Sequence, residues 1–373
     1  MTHQEISIMR MHNQHLTSGR FQTAAQLVQH FGAVQGQEYE QTKWGLGIRL
    51  PHLNNVEIDL EITSGKIRRT HLMRPTWHLV HADDILWMQA LTSERVQAIN
   101  RSMYKQLELT DIILNRSVKI IRQSLEKSGP ATRAELAEIL KSHRVNTEGL
   151  RLVYIMMNAE LKSIICSGPR KGKQHTYELL NNPKEGNLTL KPADKEEGLL
   201  KLAQRYFESR GPATVKDFST WSGLTIADCQ KGINLNGTML ENFIFEGETY
   251  YLLPVANISN RNNMAQLVSQ TKNNELFLLP VYDEMIMGYK NRKSIMQNKT
   301  NQQRYKYDCM ILYKGQVVGT YKRTIKQKTA LFAFDYFHVP DNKLKAHIRK
   351  ILKHFESFTG LQVVMADADY HGD

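Results

Sequence analysis

Two stretches decide how the chain reads: SGPATRAELAEIL at Ser128–Leu140 and RGPATVKDFSTWSGL at Arg210–Leu224. A shared tetrapeptide is expected about once by chance in a chain of this length, so GPAT alone proves nothing. The surroundings make it a repeat. An amphipathic helical pattern precedes each copy, with Ile120, Ile121 and Leu125 before the first and Leu199, Leu202 and Tyr206 before the second. A further helical pattern follows each and leads into an apolar hairpin. The hairpins end in matching strings, TYELL (Thr176–Leu180) and TYYLL (Thr249–Leu253).

Helix, short helix, turn, helix, β-hairpin is the order of a winged helix. Gly-Pro ends the leading helix, because proline donates no hydrogen bond to it and disfavours the helical region just before itself. Thr132 and Thr214 stand where the next helix needs an N-cap hydroxyl. Ser222-Gly223 supplies the tight turn of the second copy, and its third helix starts near Thr225 with Ile226, Cys229 and Ile233 at helical spacing. In the first copy the third helix is predicted at Thr147–Leu161, and the wing is the loop SGPRKGK, Ser167–Lys173.

Working outward, Phe21–Phe31 reads as a helix stopped by Gly32. Ile48–Thr63 reads as a strand, with Ile67–Leu72 as its partner. This is either a third, less regular winged-helix-like unit or an ordinary α+β lobe. Toward the other end, Leu276–Val281 is an apolar strand. Met310–Tyr313, the turn Lys314-Gly315 and Gln316–Tyr321 give a hairpin signal. Ala330–Phe337 adds a strand, Asn342–Thr359 an amphipathic helix, and Leu361–Met365 a closing strand.

Composition narrows the function classes. The 373 residues hold 49 lysines and arginines against 37 acids, a formal charge of +12. From Val255 onward 18 basic residues face 10 acidic ones, so most of the excess lies there. Such a footprint suits a polyanionic partner. With 41% hydrophobic residues the chain can build cores, which excludes a low-complexity or disordered protein. No apolar run is long enough for a transmembrane helix. Met1–Leu16 is polar with no apolar signal core, and Cys166, Cys229 and Cys309 are few, odd in number and far apart. Both point to a reducing cytoplasm.

No P-loop, dinucleotide glycine fingerprint, zincin motif or nucleophile elbow is present, and the histidines lack metal spacing. Neither metal nor cofactor is expected. Three segments stand out. In AVQGQEYEQTKWGLGIR, Ala33–Arg49, Gln35 and Gln37 lie on one side of an extended stretch or close together across a bend at Gly36. A glutamine is neutral at every pH and cannot be a general base, but it can hold a water or a base edge. The alternative is a polar turn after a helix. In RRTHLMRPTWHLVHADDILWM, Arg68–Met88, Thr76 and His78 share a face if the segment is a strand, and Arg74 precedes them. His78 is either a satisfied core histidine or a pocket residue; Asp83 or Asp84 could pair with it, but Ala82–Asp83 reads better as the cap of the next helix. In LLPVYDEMIMGYKNR, Leu278–Arg292, Asp283 and Glu284 follow an apolar strand, where they either line a site or cap a turn.

These segments, in this order with the two GPAT starts and the VVGTYKRT hairpin, resemble the winged-helix DNA-binding family of the AlkZ/YcaQ-type DNA glycosylases over nearly the whole chain. The resemblance implies an α+β fold of tandem winged-helix (helix-turn-helix) domains around a β-barrel-like C-terminal scaffold. The units expected are 1–118, a winged-helix-like lobe with the glutamine motif, 119–182 and 195–254, two winged helices, and 255–373, a basic β-rich domain with the C-terminal helix. It also implies excision of alkylated or crosslinked bases from double-stranded DNA through a Gln-x-Gln or Gln-x-Asp motif. Gln35-Gly36-Gln37 matches the first form, with a middle residue smaller than the family usually has. An N-alkylated purine is already cationic and leaves without strong protonation, so the enzyme mainly positions a water and stabilises developing charge. Ordinary glycosidases need two carboxylates because their leaving group is neutral. Gln35 and Gln37 are then the catalytic residues, with His78, Arg74, Thr76, Asp283 and Glu284 around the pocket. Hydrolysis without strand cleavage follows, with Lys43 left open as a nucleophile.

Arg170, Lys171 and Lys173 on the wing, and Lys322, Arg323, Lys326 and Lys328 in the C-terminal hairpin, are the expected phosphate contacts. Thr225–Leu235 carries Lys231 and Asp228 but no arginine, a poor major-groove reader. The expected protein is a monomer without a membrane partner. The competing reading is a non-enzymatic winged-helix DNA-binding protein or transcriptional regulator.

Overall fold

The computed structural model describes residues 1–180, 195–254, 276–305 and 307–366. The N-terminal lobe runs α1 (His3–Asn13), α2 (Ala24–Phe31), β1 (Ala33–Gln35), α3 (Tyr39–Gly47), α4 (Asn55–Thr63), β2 (Ile67–Leu72) and β3 (Arg74–His81). Its antiparallel sheet has the order β1-β3-β2. Thr23 and Gln26 form a capping box that starts α2, and Gly32 ends it at φ 73°, a conformation open to glycine at no steric cost.

The expected strand at Ile48–Thr63 is a turn followed by α4. Asn54 accepts from the amides of Val56 and Glu57 while the Glu57 carboxylate returns to the Asn54 amide, a second capping box. Ile58 and Ile62, four residues apart, face the core, and Val56 and Leu60 face solvent. That is helical spacing, which the loose alternation masked. The strand that pairs with β2 is β3.

After α5 (Ile85–Gln106) the first GPAT unit comprises α6 (Asp111–Ser128), β4 (Ala131–Thr132), α7 (Arg133–Ser142), α8 (Arg151–Leu161), β5 (Ile165–Lys171) and β6 (Gln174–Leu179). The second comprises α9 (Lys195–Arg210), β7 (Ala213–Thr214), α10 (Val215–Ser222), α11 (Ile226–Asn236), β8 (Glu241–Phe245) and β9 (Glu248–Leu252). Each forms a three-stranded sheet, β4-β6-β5 and β7-β9-β8, so the Ala-Thr of GPAT becomes the same short strand in both. Thr132 and Thr214 both cap the following helix, closing capping boxes with Glu135 and Asp217.

The C-terminal sheet is β10 (Leu276–Leu279), β11 (Cys309–Tyr313), β12 (Gln316–Lys326), β13 (Thr329–Tyr336) and β14 (Gln362–Met365), in that order, with only β13 and β14 parallel. Lys314 and Gly315 turn the β11–β12 hairpin at φ 51° and 79°, the left-handed pair that matches strand twist. A bulge between Ile311 and Leu312 bends the sheet. Helix α12 (Asn342–Thr359), capped by Asp341, buries Leu344, Ile348, Leu352, Phe355 and Phe358. It packs on both outermost strands, β10 and β14, in the hollow of a sheet curled into half a barrel. The chain is thus a mixed α+β protein. Residues 255–275 and 367–373 of the expected basic domain, and the 181–194 link, lie outside the described residues.

Packing does not follow chain order. One core joins the N-terminal lobe to the half-barrel: Trp44 meets Phe355 and Phe358 at 5.0 and 5.4 Å and donates from Nε1 to the Leu278 carbonyl at 2.8 Å. A second core joins the lobe to the second GPAT unit through Ala33, Met73, Val80, Tyr206, Phe207 and Trp221. The β1–β3 pair lies between them, Val34 and Leu79 facing the first core, Ala33 and Val80 the second.

Candidate active site

On β1 and β3 the register sets Ala33 against Val80, Val34 against Leu79 and Gln35 against His78. Directly opposed residues of an antiparallel pair share a face. Gln35 and His78 therefore stand side by side on the face turned toward the second GPAT unit, with Thr76 two residues further along it. Both are buried. Arg74, where β3 begins, donates from Nη2 to Gln35 Oε1 at 2.9 Å.

The main chain of the motif is held at every polar atom of Gln35 and Gly36. The Gln35 amide donates to Glu284 Oε1 at 2.8 Å, and its carbonyl accepts from Thr42 Oγ1 at 3.0 Å. The Gly36 amide donates to the Trp77 carbonyl at 2.8 Å, and its carbonyl accepts from Arg69 Nε at 2.9 Å. Glycine suits the close approach: a Cβ at position 36 would lie 3.1 Å from the His78 carbonyl carbon and from the Leu79 nitrogen, so the β3 backbone would have to give by a few tenths of an ångström. Gln37 lies past this anchored turn. It is exposed, and its Oε1 is 3.5 Å from the Trp77 amide.

Glu284 is the hub. Besides the Gln35 amide it accepts at Oε2 from Arg210 Nε at 3.0 Å, Arg210 Nη2 at 2.6 Å and Trp221 Nε1 at 3.2 Å. Arg210, with no exposed surface, spreads its other donors over the carbonyls of Phe31 and Ala33, each at 2.8 Å. So the last residue of α9 clamps both sides of β1. Asp283 does something else. It caps the short helical turn of Glu284–Met287 through the Met285 amide and makes a two-pronged ion pair with Arg49 at 2.8 Å on each prong. Of the two acids, one caps and the other reaches the glutamine.

His78 Nδ1 lies 3.0 Å from the Thr76 carbonyl. Burial, then the neighbouring Arg74 cation, holds its pKa well below the usual 6.5, so the ring is neutral. Asp84 is not its partner: that carboxylate binds Arg205 at 2.9 Å and Trp87 Nε1 at 2.8 Å. Three buried atoms, Arg74 Nε, Thr76 Oγ1 and His78 Nε2, have no protein partner. Lys43 is buried and paired with Asp59 at 3.0 Å and Glu40 at 3.1 Å, which leaves it no free amine to act as a nucleophile.

The expected DNA cations divide. Lys322, Lys326, Lys328, Lys171 and Lys173 are exposed, though Lys171 reaches Glu135 at 3.1 Å. Arg323 is half-buried over the Phe355 ring. Arg170 turns inward: it lies 3.4 Å from Asp59 and 3.6 Å from Glu40, over the Tyr39 ring, so the β5–β6 hairpin is tied to α3 and α4. Sequence reading missed Thr42 and Arg210. The signal for Arg210 was present, since it stands where the first copy has Ser128. Among the described residues no helix is long and apolar enough to cross a membrane, and no cluster of His, Cys, Asp and Glu has the arrangement of a metal site.

A mixed α+β chain with exposed lysines and a buried, anchored glutamine strand is compatible with a polyanionic substrate, and comparison with known proteins supplies the class. The model of the family described as DNA glycosylase AlkZ-like matches residues 28–358, and the chain belongs to that family. It is therefore a hydrolytic DNA glycosylase of DNA repair, which decides against the non-enzymatic regulator. Among solved structures, the Streptomyces sahachiroi DNA glycosylase AlkZ has a similar fold: TM-score 0.77 over 98% of this chain and 100% of that one, at 17% identity. No curated protein matches the chain by sequence.

Proposed function

We propose that the enzyme hydrolyses the N-glycosidic bond of alkylated bases, including crosslinked ones, with Gln35 and Gln37 positioning the water. The C1′–N bond breaks and its electron pair leaves with the base, which departs neutral because alkylation had made it cationic. The water oxygen bonds to C1′ and sheds a proton. The observation that supports this reading best is the anchoring of Gln35. Its main chain is fixed by Glu284 from a remote segment and by Thr42 one helix on, and its amide is oriented by Arg74. A turn with no task beyond linking α2 to α3 needs no such support, whereas a group that must place a water to within an ångström does.

We read the two GPAT units as winged helices, 119–182 and 195–254, flanked by the 1–118 lobe and the 255–373 domain. Together they cradle duplex DNA, and the exposed lysines at 171, 173, 322, 326 and 328, with Arg323, meet phosphates. The enzyme works as a monomer on DNA in a reducing cytoplasm, where its three buried, unpaired thiols suit the surroundings. The test is single-turnover release of 7-methylguanine from duplex DNA. Gln35→Ala should slow it about a hundredfold, with Gln37→Ala also slower and DNA affinity nearly unchanged in both. Wild-type rates in both variants would make the motif a structural turn. Release of no alkylated or crosslinked base by the wild type would remove the substrate assignment.

A further inference from the structure

We propose that His78 is a further catalytic residue of this reaction, its Nε2 lone pair accepting one hydrogen of the attacking water while Gln35 Oε1 accepts the other. The inference rests on the reading of Gln35 given above.

The tautomer follows from the partner. His78 Nδ1 faces the Thr76 carbonyl at 3.0 Å. A carbonyl only accepts, so Nδ1 carries the hydrogen. A neutral imidazole has one N–H, so Nε2 is a bare acceptor. It is buried and no protein donor reaches it. A buried acceptor left empty costs about 1–3 kcal/mol, so such an atom in a native fold calls for a ligand. The charged and titratable groups around the ring are Arg74 on its own strand, His71 on β2 and Arg210 on α9. None gives Nε2 a hydrogen bond. A water is the remaining donor, and the strand face is polar enough to hold one: the Thr76 hydroxyl, also unpartnered, is two residues away on it.

A positioned water needs an acceptor for each hydrogen. Gln35 Oε1 has two lone pairs, and Arg74 Nη2 occupies one. The other can hold one hydrogen. Gln37, the motif's second amide, stands at the surface and steadies the water from the solvent side, while His78, directly opposite Gln35 in the register, is the buried acceptor for the second hydrogen. As the water oxygen bonds to C1′, the adduct is an oxonium, acidic enough to give its proton to a weakly basic imidazole, which passes it to solvent. Its low basicity keeps the acceptor unprotonated at working pH, at some cost in driving force for the transfer.

Three variants test this by single-turnover release of 7-methylguanine, with binding to an uncleavable duplex and the melting temperature measured beside it. His78→Phe keeps a ring but removes the acceptor, and should lose about a hundredfold in rate, the lower range for general base help, with DNA affinity within about threefold. His78→Gln sets an amide oxygen near the place of Nε2 and should recover about tenfold of that loss. Thr76→Val, a small change for use if His78→Phe does not fold, should lose about tenfold. A His78→Phe rate within about threefold of wild type, or a folded His78→Gln no faster than His78→Phe, overturns the assignment. Gln35→Ala in parallel separates the two claims: loss there without loss at His78 overturns this inference alone, and no loss at Gln35 overturns the reading beneath it.

Discussion

Replacing Glu284 with alanine should be among the most damaging single changes in the molecule. The carboxylate accepts from the Gln35 amide, twice from Arg210 and once from Trp221. Its loss strands a guanidinium that has no exposed surface. Removing one partner of a buried ion pair costs about 3–5 kcal/mol. The orphaned Gln35 amide adds about 1–3 kcal/mol. Against a total of about 5–15 kcal/mol for a folded domain this is a large share. At roughly 2 °C per kcal/mol for a larger domain, the melting temperature should fall by about 10 °C. Thermal and urea unfolding of Glu284→Ala, Arg210→Met and the double variant should reveal strong coupling, at least about 2 kcal/mol, because the second change removes the charge that the first strands. Glu284→Ala within about 1 kcal/mol of wild type, or two single effects that simply add, would refute the claim that this pair is the clamp on β1.

Gly36→Ala should lose most base release and about 1–3 kcal/mol of stability, measured by denaturant unfolding, because the new methyl meets the β3 backbone at 3.1 Å. Changing Lys322, Lys326 and Lys328 together to alanine should flatten the plot of log affinity against log salt by about 2–3 and leave the melting temperature unchanged, since all three are exposed. Arg170→Ala should lower the melting temperature while Lys171→Ala does not, because of the two only Arg170 ties the β5–β6 hairpin to Asp59, as differential scanning fluorimetry can establish. Stability should fall on acidification, and urea titrations between pH 7 and pH 4 should follow it. Burial pushes the pKa of His15 down to about 4 and of His30 to about 3, so below about 6.5 the unfolded chain binds the extra protons. Each then removes about 1.4 kcal/mol per pH unit until its folded value is reached.

The parts written in local chemistry were legible. Helix α12 begins and ends where its apolar spacing puts it, and both GPAT threonines cap the helix that follows them. Pairing Ile48–Thr63 as a strand failed because Asn54 and Glu57, a capping box, were outweighed by a loose alternation of apolar residues. In the site, Gln35, Arg74, Thr76 and His78 were legible because they belong to two adjacent strands. Thr42 and Arg210 were not. Thr42 lies in the quoted motif but acts through a hydroxyl on the main chain, which no spacing announces. Arg210 reaches the site from about 175 residues away along the chain, a distance only tertiary packing can close. The inward turn of Arg170 escaped for the same reason: a basic wing loop looks alike whether its arginine meets phosphate or Asp59.

The repeat therefore has unequal halves. Where the first copy opens with Ser128, the second opens with Arg210, and that one position wires it to the glutamine strand. Exchanging the two units, or trimming the chain to its N-terminal lobe, would produce a protein with the motif intact and its scaffold missing. Here the second copy is packed into the body that holds the glutamine strand, so an insertion that shifts α9 by a single turn would be felt at Gln35.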